Sequence, residues 1–279
     1  MSEECTHNCS TCGKKGTCSD KAGFLAPPNA NSKIKCVIAV ASGKGGVGKS
    51  FATTMLAVEA MRKGLKVGIL DADITGPSIP KSFGLTGGTF QDEQGIAPQI
   101  TNGGIKVMSL NMLVENPSDP VVWRGPVIAG AVKQFWSDVH WGELDILFVD
   151  MPPGTGDVPL TVFQSLPVDG VVIVSSPQKL VEMIVSKSVK MASLMKKPIL
   201  GLVENMSYLK CPDCGKKIEV FGPSQAAGLA EKFSIPALVK LPVDSSFASY
   251  IDSGKAEEIQ IENFPDFAER VLALANKPK

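Results

Sequence analysis

Long apolar runs are missing from this sequence. None approaches the roughly 18–20 residues of a membrane-spanning helix, so no membrane partner is expected. Net charge is missing too, because 28 basic and 28 acidic side chains cancel. A nucleic-acid binder that works through bulk charge carries an excess of lysine and arginine, so no nucleic-acid partner is expected and any partner must be recognised locally. Aromatic residues make up only 6% of the chain, while glycine (27) and proline (20) are frequent. That balance suits an α/β protein rich in strand–helix turns better than a β-sandwich or a helical bundle. The start, Met1-Ser2-Glu3-Glu4-Cys5, is acidic and lacks the apolar stretch of a secretory signal, so the expected location is cytoplasmic.

What the chain does have is length, 279 residues, enough to bury a sizeable core, and seven unevenly placed cysteines. Cys5, Cys9, Cys12 and Cys18 crowd the N-terminus, Cys36 precedes the first apolar run, and Cys211 and Cys214 come late. In a reducing compartment, clustered cysteines with two-residue gaps point to metal or cluster ligation, or to redox chemistry, rather than to a disulfide framework. Cys36 reads as an inert core residue.

Residues 1–33 show no periodic apolar signal and run through Pro27-Pro28 into the first strand, so they are expected to form a cysteine-rich arm and linker. Residues 34–279 alternate short apolar runs with helical patterns, as a doubly wound, mostly parallel sheet requires. Strands are expected at Val37–Ala41, Lys66–Leu70, Ile105–Leu110, Ile146–Val149, Val171–Ser175, Ile199–Val203 and Ala237–Leu241. Helices are expected at Lys49–Lys63, Val127–Trp136, Leu180–Met195, Ser224–Lys232 and Asp266–Ala275, the last as a packing helix. A small knuckle, residues 209–221, interrupts the alternation with Cys211-Pro212-Asp213-Cys214-Gly215.

Gly43-Lys44-Gly45-Gly46-Val47-Gly48-Lys49-Ser50 matches the phosphate-binding pattern G-x-x-x-x-G-K-[ST], directly after an apolar run and before a helical one. The glycines allow a tight turn whose amides point at phosphate oxygens, Lys49 adds a point charge, and the Ser50 hydroxyl suits Mg²⁺. Asp150 ends an apolar strand where an acidic residue can orient the magnesium shell. Met151-Pro152-Pro153-Gly154-Thr155-Gly156-Asp157 follows as a candidate switch loop. Asp71 and Asp73 end another strand at the same sheet edge; one of them can position an attacking water, and capping or turn formation is the competing role.

Together with the extra Lys44, the stretches Asp71-Ala72-Asp73-Ile74-Thr75-Gly76-Pro77-Ser78 and Asp150–Asp157 resemble the Mrp/ApbC family of iron–sulfur cluster carrier ATPases. That family is similar to MinD, ParA and the nitrogenase iron protein in its P-loop class. The resemblance spans roughly Lys35–Lys279 and implies a homodimer that sandwiches two ATP molecules, with Lys44 reaching the partner's phosphates. It also implies that Asn205 reads adenine, with Pro242 and Asp244 lining the base.

Cys211 and Cys214 supply two thiolates where a zinc ion or a cubane cluster wants four. An isologous dimer would complete the set at its axis; by residue type alone, shared zinc, an incomplete zinc knuckle and a redox dithiol all stay open. The family resemblance implies a bridging [4Fe–4S] cluster. In the arm, Cys5, Cys9, Cys12 and Cys18 are numerous enough to wrap a second cluster, and the last three look like the ferredoxin-like motif of the family's nucleotide-binding subgroup. The first gap is shorter than in that subgroup; His7 is an alternative ligand to Cys5, and solvation is its commoner fate. The functional expectation is a carrier that takes a cluster from a donor and passes it to apo iron–sulfur client proteins, with slow ATP hydrolysis as a switch. A ParA- or MinD-like positioning ATPase, a zinc-bridged dimeric ATPase and an ATP-driven electron donor are the alternatives, and the late cysteine pair favours the carrier.

Overall fold

The computed structural model describes residues 25–73, 78–109, 112, 125–178 and 181–275. The four arm cysteines, His7 and residues 74–77 lie outside the described residues. In chain order the strands are β1 (Ser32–Ile34), β2 (Val37–Ser42), β3 (Val67–Asp71), β4 (Phe90–Asp92), β5 (Gly95–Ala97), β6 (Gln99–Ile100), β7 (Lys106–Ser109), β8 (Gly142–Leu144), β9 (Ile146–Asp150), β10 (Gly170–Ser175), β11 (Ile199–Lys210), β12 (Lys217–Ile218) and β13 (Leu238–Val243). The helices are α1 (Lys49–Arg62), α2 (Ile79–Ser82), α3 (Gly125–Ser137), α4 (Asp157–Ser165), α5 (Val181–Leu194), α6 (Ala226–Lys232), α7 (Ser245–Asp252) and α8 (Phe264–Ala275).

Every residue of β2, β3, β9 and β10 is buried. Strands buried along their whole length, apolar but for their last residues, cannot expose one face to water, so helices must cover both. The main sheet runs β12-β11-β10-β2-β9-β3-β7-β6, with β13 also beside β11, and only β6 and β12 are antiparallel to their neighbours. On one face Ile38, Val40, Ile69 and Phe148 pack under α1 and α8; on the other Ala39, Leu70, Leu147 and Ile173 pack under α3, α4, α5 and α6. Phe148 is fully buried, and truncating such a residue to alanine costs roughly 3–5 kcal/mol. Helix α8 is the packing helix the sequence suggests, burying Phe264, Phe267, Ala268, Val271 and Leu272. Phe267 fits only because Gly201 lies beneath it: a Cβ there would meet the Phe267 ring at 2.8 Å.

Parallel strands bring their carboxyl ends to one edge, and the register decides which residues meet there. Asp71 stands beside Asp150, and Ser109 beside Asp71. The loop after β2, residues 43–48, leaves the same edge between the ends of β9 and β10.

Several elements depart from the pattern expected from sequence. Part of the residue 1–33 segment is built in: β1 pairs with β8, the Ala26 N–H donates to the Ser165 carbonyl, and the Trp136 indole donates to the Ala26 carbonyl. Strand β11 continues past the expected end at Val203 to Lys210, because β13 supports it as far as Leu209 and β12 caps it at Leu209 and Lys210. The knuckle is therefore a hairpin at the end of a long strand. Helix α7 carries a sequence signal in its cap, where the Asp244 carboxylate accepts the Ser246 N–H at 2.8 Å.

Candidate functional site

The phosphate-loop pattern folds as strand, tight turn and helix. Gly48 has φ +82°, a left-handed conformation that L-residues rarely adopt, and its backbone opens α1. A Cβ on Gly48 would lie 2.1 Å from the Asn205 amide nitrogen. On the other flank, a Cβ on Gly43 would meet Ile184 of α5 at 2.3 Å. Both flanks of the loop are thus close-packed, and Gly45 and Gly46 between them are exposed.

Lys49 is only 6% exposed and holds two carboxylates, Asp150 at 2.7 Å and Asp73 at 3.3 Å. Asp150 is completely buried and satisfied by three side chains: Lys49 and Ser50 donate to one oxygen at 2.7 and 2.6 Å, and Thr53 donates to the other at 2.6 Å. Such a charge is tolerable in the interior only because donors surround it. Thr53 escaped the sequence reading, although it lies one helical turn beyond Lys49 on the same face of α1.

Asp71 is buried at the end of β3, directly beside Asp150. Burial, then the negative charge of Asp150, pushes its carboxyl well above the usual carboxylate range, against the opposing pull of Lys49, the Asp73 N–H and the Ser109 hydroxyl. Its two oxygens accept the Asp73 N–H and the Ser109 hydroxyl, each at 3.1 Å. Asp71 therefore orients the backbone at Asp73, and Asp73 is the carboxylate that reaches the loop cavity. That cavity, about 410 Å³, is bordered by Lys44, Lys49, Ser50, Asp73, Pro153 and Ile251.

The candidate switch loop is tied down at Gly154, whose N–H donates to the Ser42 carbonyl at 2.8 Å. The Lys44 ammonium meets the side-chain oxygen of Gln178, a partner that sequence did not suggest. Asn205 is buried against the underside of the loop, donating to the Val47 carbonyl at 3.1 Å. Pro242 and Asp244 border a separate cavity of about 720 Å³ beside Tyr208 and Pro212. The structure thus joins Lys49, Ser50, Asp73 and Asp150, sets Lys44 at their margin and Asn205 beneath them, and places Pro242 and Asp244 apart.

These residues fit a magnesium nucleoside triphosphate. The Ser50 hydroxyl and the Asp150 carboxylate offer Mg²⁺ hard oxygen donors at a helix N-terminus, and Lys49 lies alongside to meet phosphate.

Cys211 and Cys214 sit at the tip of the β11–β12 hairpin. The Cys211 N–H donates to the Lys216 carbonyl, and the Gly215 N–H returns to the Cys211 carbonyl, both at 2.9 Å. Gly215 closes the turn at φ +70°. The backbone N–H groups of Cys214 and then Asp213, followed by the Cys214 thiol, lower the Cys211 pKa, which favours the thiolate that metals bind. Cys214 is exposed, and apolar Leu209, Ile218, Val220 and Phe221 are exposed around the pair. Among the described residues no group of three or more histidine, cysteine or acidic side chains converges as a metal site. No described helix is long and apolar enough to cross a membrane, and Cys36 is buried.

Known proteins share both sequence and fold with this chain. A family described as ParA, NUBPL iron-transfer P-loop NTPase, matches residues 33–277. The iron-sulfur cluster carrier protein of Clostridium perfringens is 46% identical over 263 residues, covering 91% of this chain and 92% of its own. The iron-sulfur cluster transfer protein NUBPL of Dictyostelium discoideum is 40% identical, covering 86% and 76%. Among solved structures, the nucleotide-binding protein of Archaeoglobus fulgidus, in complex with ADP, matches with TM-score 0.76 and 46% identity over 84% of this chain and 92% of that one. The septum site-determining protein MinD of Pyrococcus horikoshii, at 17% identity and TM-score 0.56 over 88% and 97%, shares the fold. A family match over nearly the whole chain, relatives at this level of identity and a complete phosphate loop together establish that the protein belongs to the NUBPL iron-transfer P-loop NTPases of the ParA group.

Proposed function

We propose that this chain is an ATP-dependent iron–sulfur cluster carrier that works as a homodimer, holding a [4Fe–4S] cluster between the hairpins of two copies and passing it to apoproteins. The observation that carries this reading is the hairpin tip: two thiols, backbone N–H groups aimed at Cys211, and no third ligand among the described residues. Half a tetrathiolate on an isologous surface is completed by the same half from a second copy. The name shared by the relatives, cluster carrier or transfer protein, supports the cargo.

In the ATPase site, amides of residues 45–50 and the Lys49 ammonium bind the phosphates. Asp73, oriented through Asp71, holds the attacking water, and Lys44 leaves Gln178 to reach the phosphates of the partner subunit. Asn205 reads the adenine, and the base extends from the loop toward the separate cavity that Pro242 and Asp244 border. Mg²⁺ beside Ser50 and Asp150 supplies neutralisation of the β- and γ-phosphate charge. Residues 1–33 form the arm, its last part from Ala26 on docked against the ATPase domain, and its Cys5, Cys9, Cys12 and Cys18 hold a second cluster; residues 34–279 form that domain, with its knuckle at 209–221.

Anaerobic reconstitution tests the cargo. Cys211→Ala and Cys214→Ala are each expected to lose the bridging iron and sulfide and the cluster-dependent dimer while the arm keeps its iron. A chain truncated before Leu25, which spares the docked segment at Ala26, is expected to keep the bridging cluster. If that truncated chain holds iron as a monomer, or holds only zinc, the shared-cluster reading is wrong.

A further inference from the structure

Between the phosphate loop and the cysteine hairpin lies a buried polar group that neither site uses. Glu204, near the middle of β11, is fully buried, and one of its carboxylate oxygens accepts the Ser207 hydroxyl. Its other oxygen has no hydrogen-bond partner among the described residues, and the same is true of the buried Ser175 and Ser176 hydroxyls. The register sets Ser175 of β10 directly beside Glu204, so both side chains project from the same sheet face. A buried carboxylate oxygen without a donor is costly, and a donor without an acceptor stands next to it.

This group is wired to both sites. The next residue, Asn205, donates to the Val47 carbonyl of the phosphate loop and accepts the Met206 N–H at 2.9 Å. Met206 is held at φ +58°, and there the β11–β13 pairing slips, Glu204 facing Lys240 but Tyr208 facing Pro242. Past that bulge, Leu209 and Lys210 enter the hairpin that presents Cys211. On the β10 side the chain passes from Ser176 to Gln178, whose side chain meets Lys44.

We propose that Glu204 is a positioning residue that couples the phosphate loop to the cysteine hairpin by exchanging hydroxyl partners. In the arrangement seen here it holds Ser207 and keeps the bulge closed. In a second arrangement its carboxylate turns to Ser175, Ser207 is released, and Met206 leaves its left-handed backbone. For a residue with a side chain that backbone is disfavoured by about 5- to 30-fold, so the released bulge relaxes and the hairpin moves. Nucleotide biases the exchange because the chain on both sides of the Glu204–Ser175 pair touches the loop, Asn205 of β11 at the Val47 carbonyl and Gln178, just beyond β10, at Lys44. The inference rests on the reading that residues 43–50 take MgATP and that Cys211 and Cys214 hold the cargo.

Hydrogen exchange of the full chain, with and without MgATP, tests it at the amides of Leu209–Gly215, with ATP binding measured alongside by calorimetry. In the wild type MgATP is expected to raise hairpin exchange about 5-fold or more. Ser207→Ala should exchange at the raised rate without nucleotide and gain nothing further. Ser175→Ala should keep the wild-type basal rate and lose the response. A packing role alone would instead loosen the hairpin in both variants and leave the response in place. Amides of β2 and β9 report whether each variant is folded, and Ser207→Thr, which keeps the hydroxyl, should restore wild-type behaviour if Ser207→Ala unfolds. A response retained in Ser175→Ala, a Ser207→Thr that behaves unlike wild type, or a wild type that binds MgATP with unchanged hairpin exchange overturns the coupling and leaves the ATPase reading standing. A wild type that does not bind MgATP overturns both.

Discussion

Gly48→Ala should be among the most damaging single-methyl additions in this protein. The position has φ +82°, where a side chain costs roughly 1–2 kcal/mol. The added Cβ would also sit 2.1 Å from the Asn205 amide nitrogen, so that amide must move. Moving it breaks its bonds to the Val47 carbonyl and from the Met206 N–H, each worth about 0.5–1.5 kcal/mol net. Together these give a loss of about 2–5 kcal/mol. The Asn205 Cβ lies 3.9 Å from the new methyl, an ordinary contact, so in an Asn205→Ala background the same change should cost only the backbone part, about 1–2 kcal/mol. Chemical denaturation of the four proteins of this cycle measures the difference, expected at about 1–3 kcal/mol of coupling. Additive losses would refute the clash, and a Gly48→Ala loss below about 0.5 kcal/mol would refute the strained geometry as well.

Lys49→Ala should abolish MgATP binding and, by leaving Asp150 with one charge uncompensated in the interior, cost about 3–5 kcal/mol of stability; calorimetry and denaturation read the two effects separately, and unchanged ATP affinity would sink the site assignment. Asp73→Asn should leave MgATP affinity within about threefold and slow single-turnover hydrolysis by at least about 100-fold, whereas equal losses of binding and hydrolysis would place Asp73 with the phosphate ligands. Asp71 has a native pKa above its unfolded value, so its contribution to stability is complete below about pH 4 and is lost as pH rises toward the native pKa, since the unfolded chain gives up its proton first. Asp71→Asn should therefore remove part of the fall in stability above about pH 4; identical pH profiles for variant and wild type would contradict it.

The site's centre was legible because its residues are local in sequence or end uniformly apolar strands. Gly43–Ser50 announces its own turn and helix, and Asp71 and Asp150 terminate runs whose burial is continuous. What stayed hidden depends on contacts far along the chain. Gln178 meets Lys44 only because β10 lies beside β2, and Ser109 reaches Asp71 only through the β3–β7 register. Strand β1 could not be read, since three residues of mixed polarity become a strand only when β8 is there to pair with them. The extension of β11 is of the same kind: residues 204–210 alternate little in polarity, and β12 and β13 supply the order.

Residues 205–210 of β11 run past its last pairing with β10, a projection of about 20 Å at ~3.3 Å per residue. At its end β12 presents a short unpaired edge next to exposed Ile218, Val220 and Phe221, a combination that invites strand-to-strand association between molecules. Lys210, Lys216 and Lys217 are exposed on the same hairpin. Lysines at an edge repel their own copies and so act as gatekeepers against uncontrolled stacking. On the proposed function this hairpin offers sticky, sulfur-bearing surface to a partner, and its lysines make self-association a matter of ionic strength: salt that screens these ammonium groups should bring on precipitation well before the core begins to unfold.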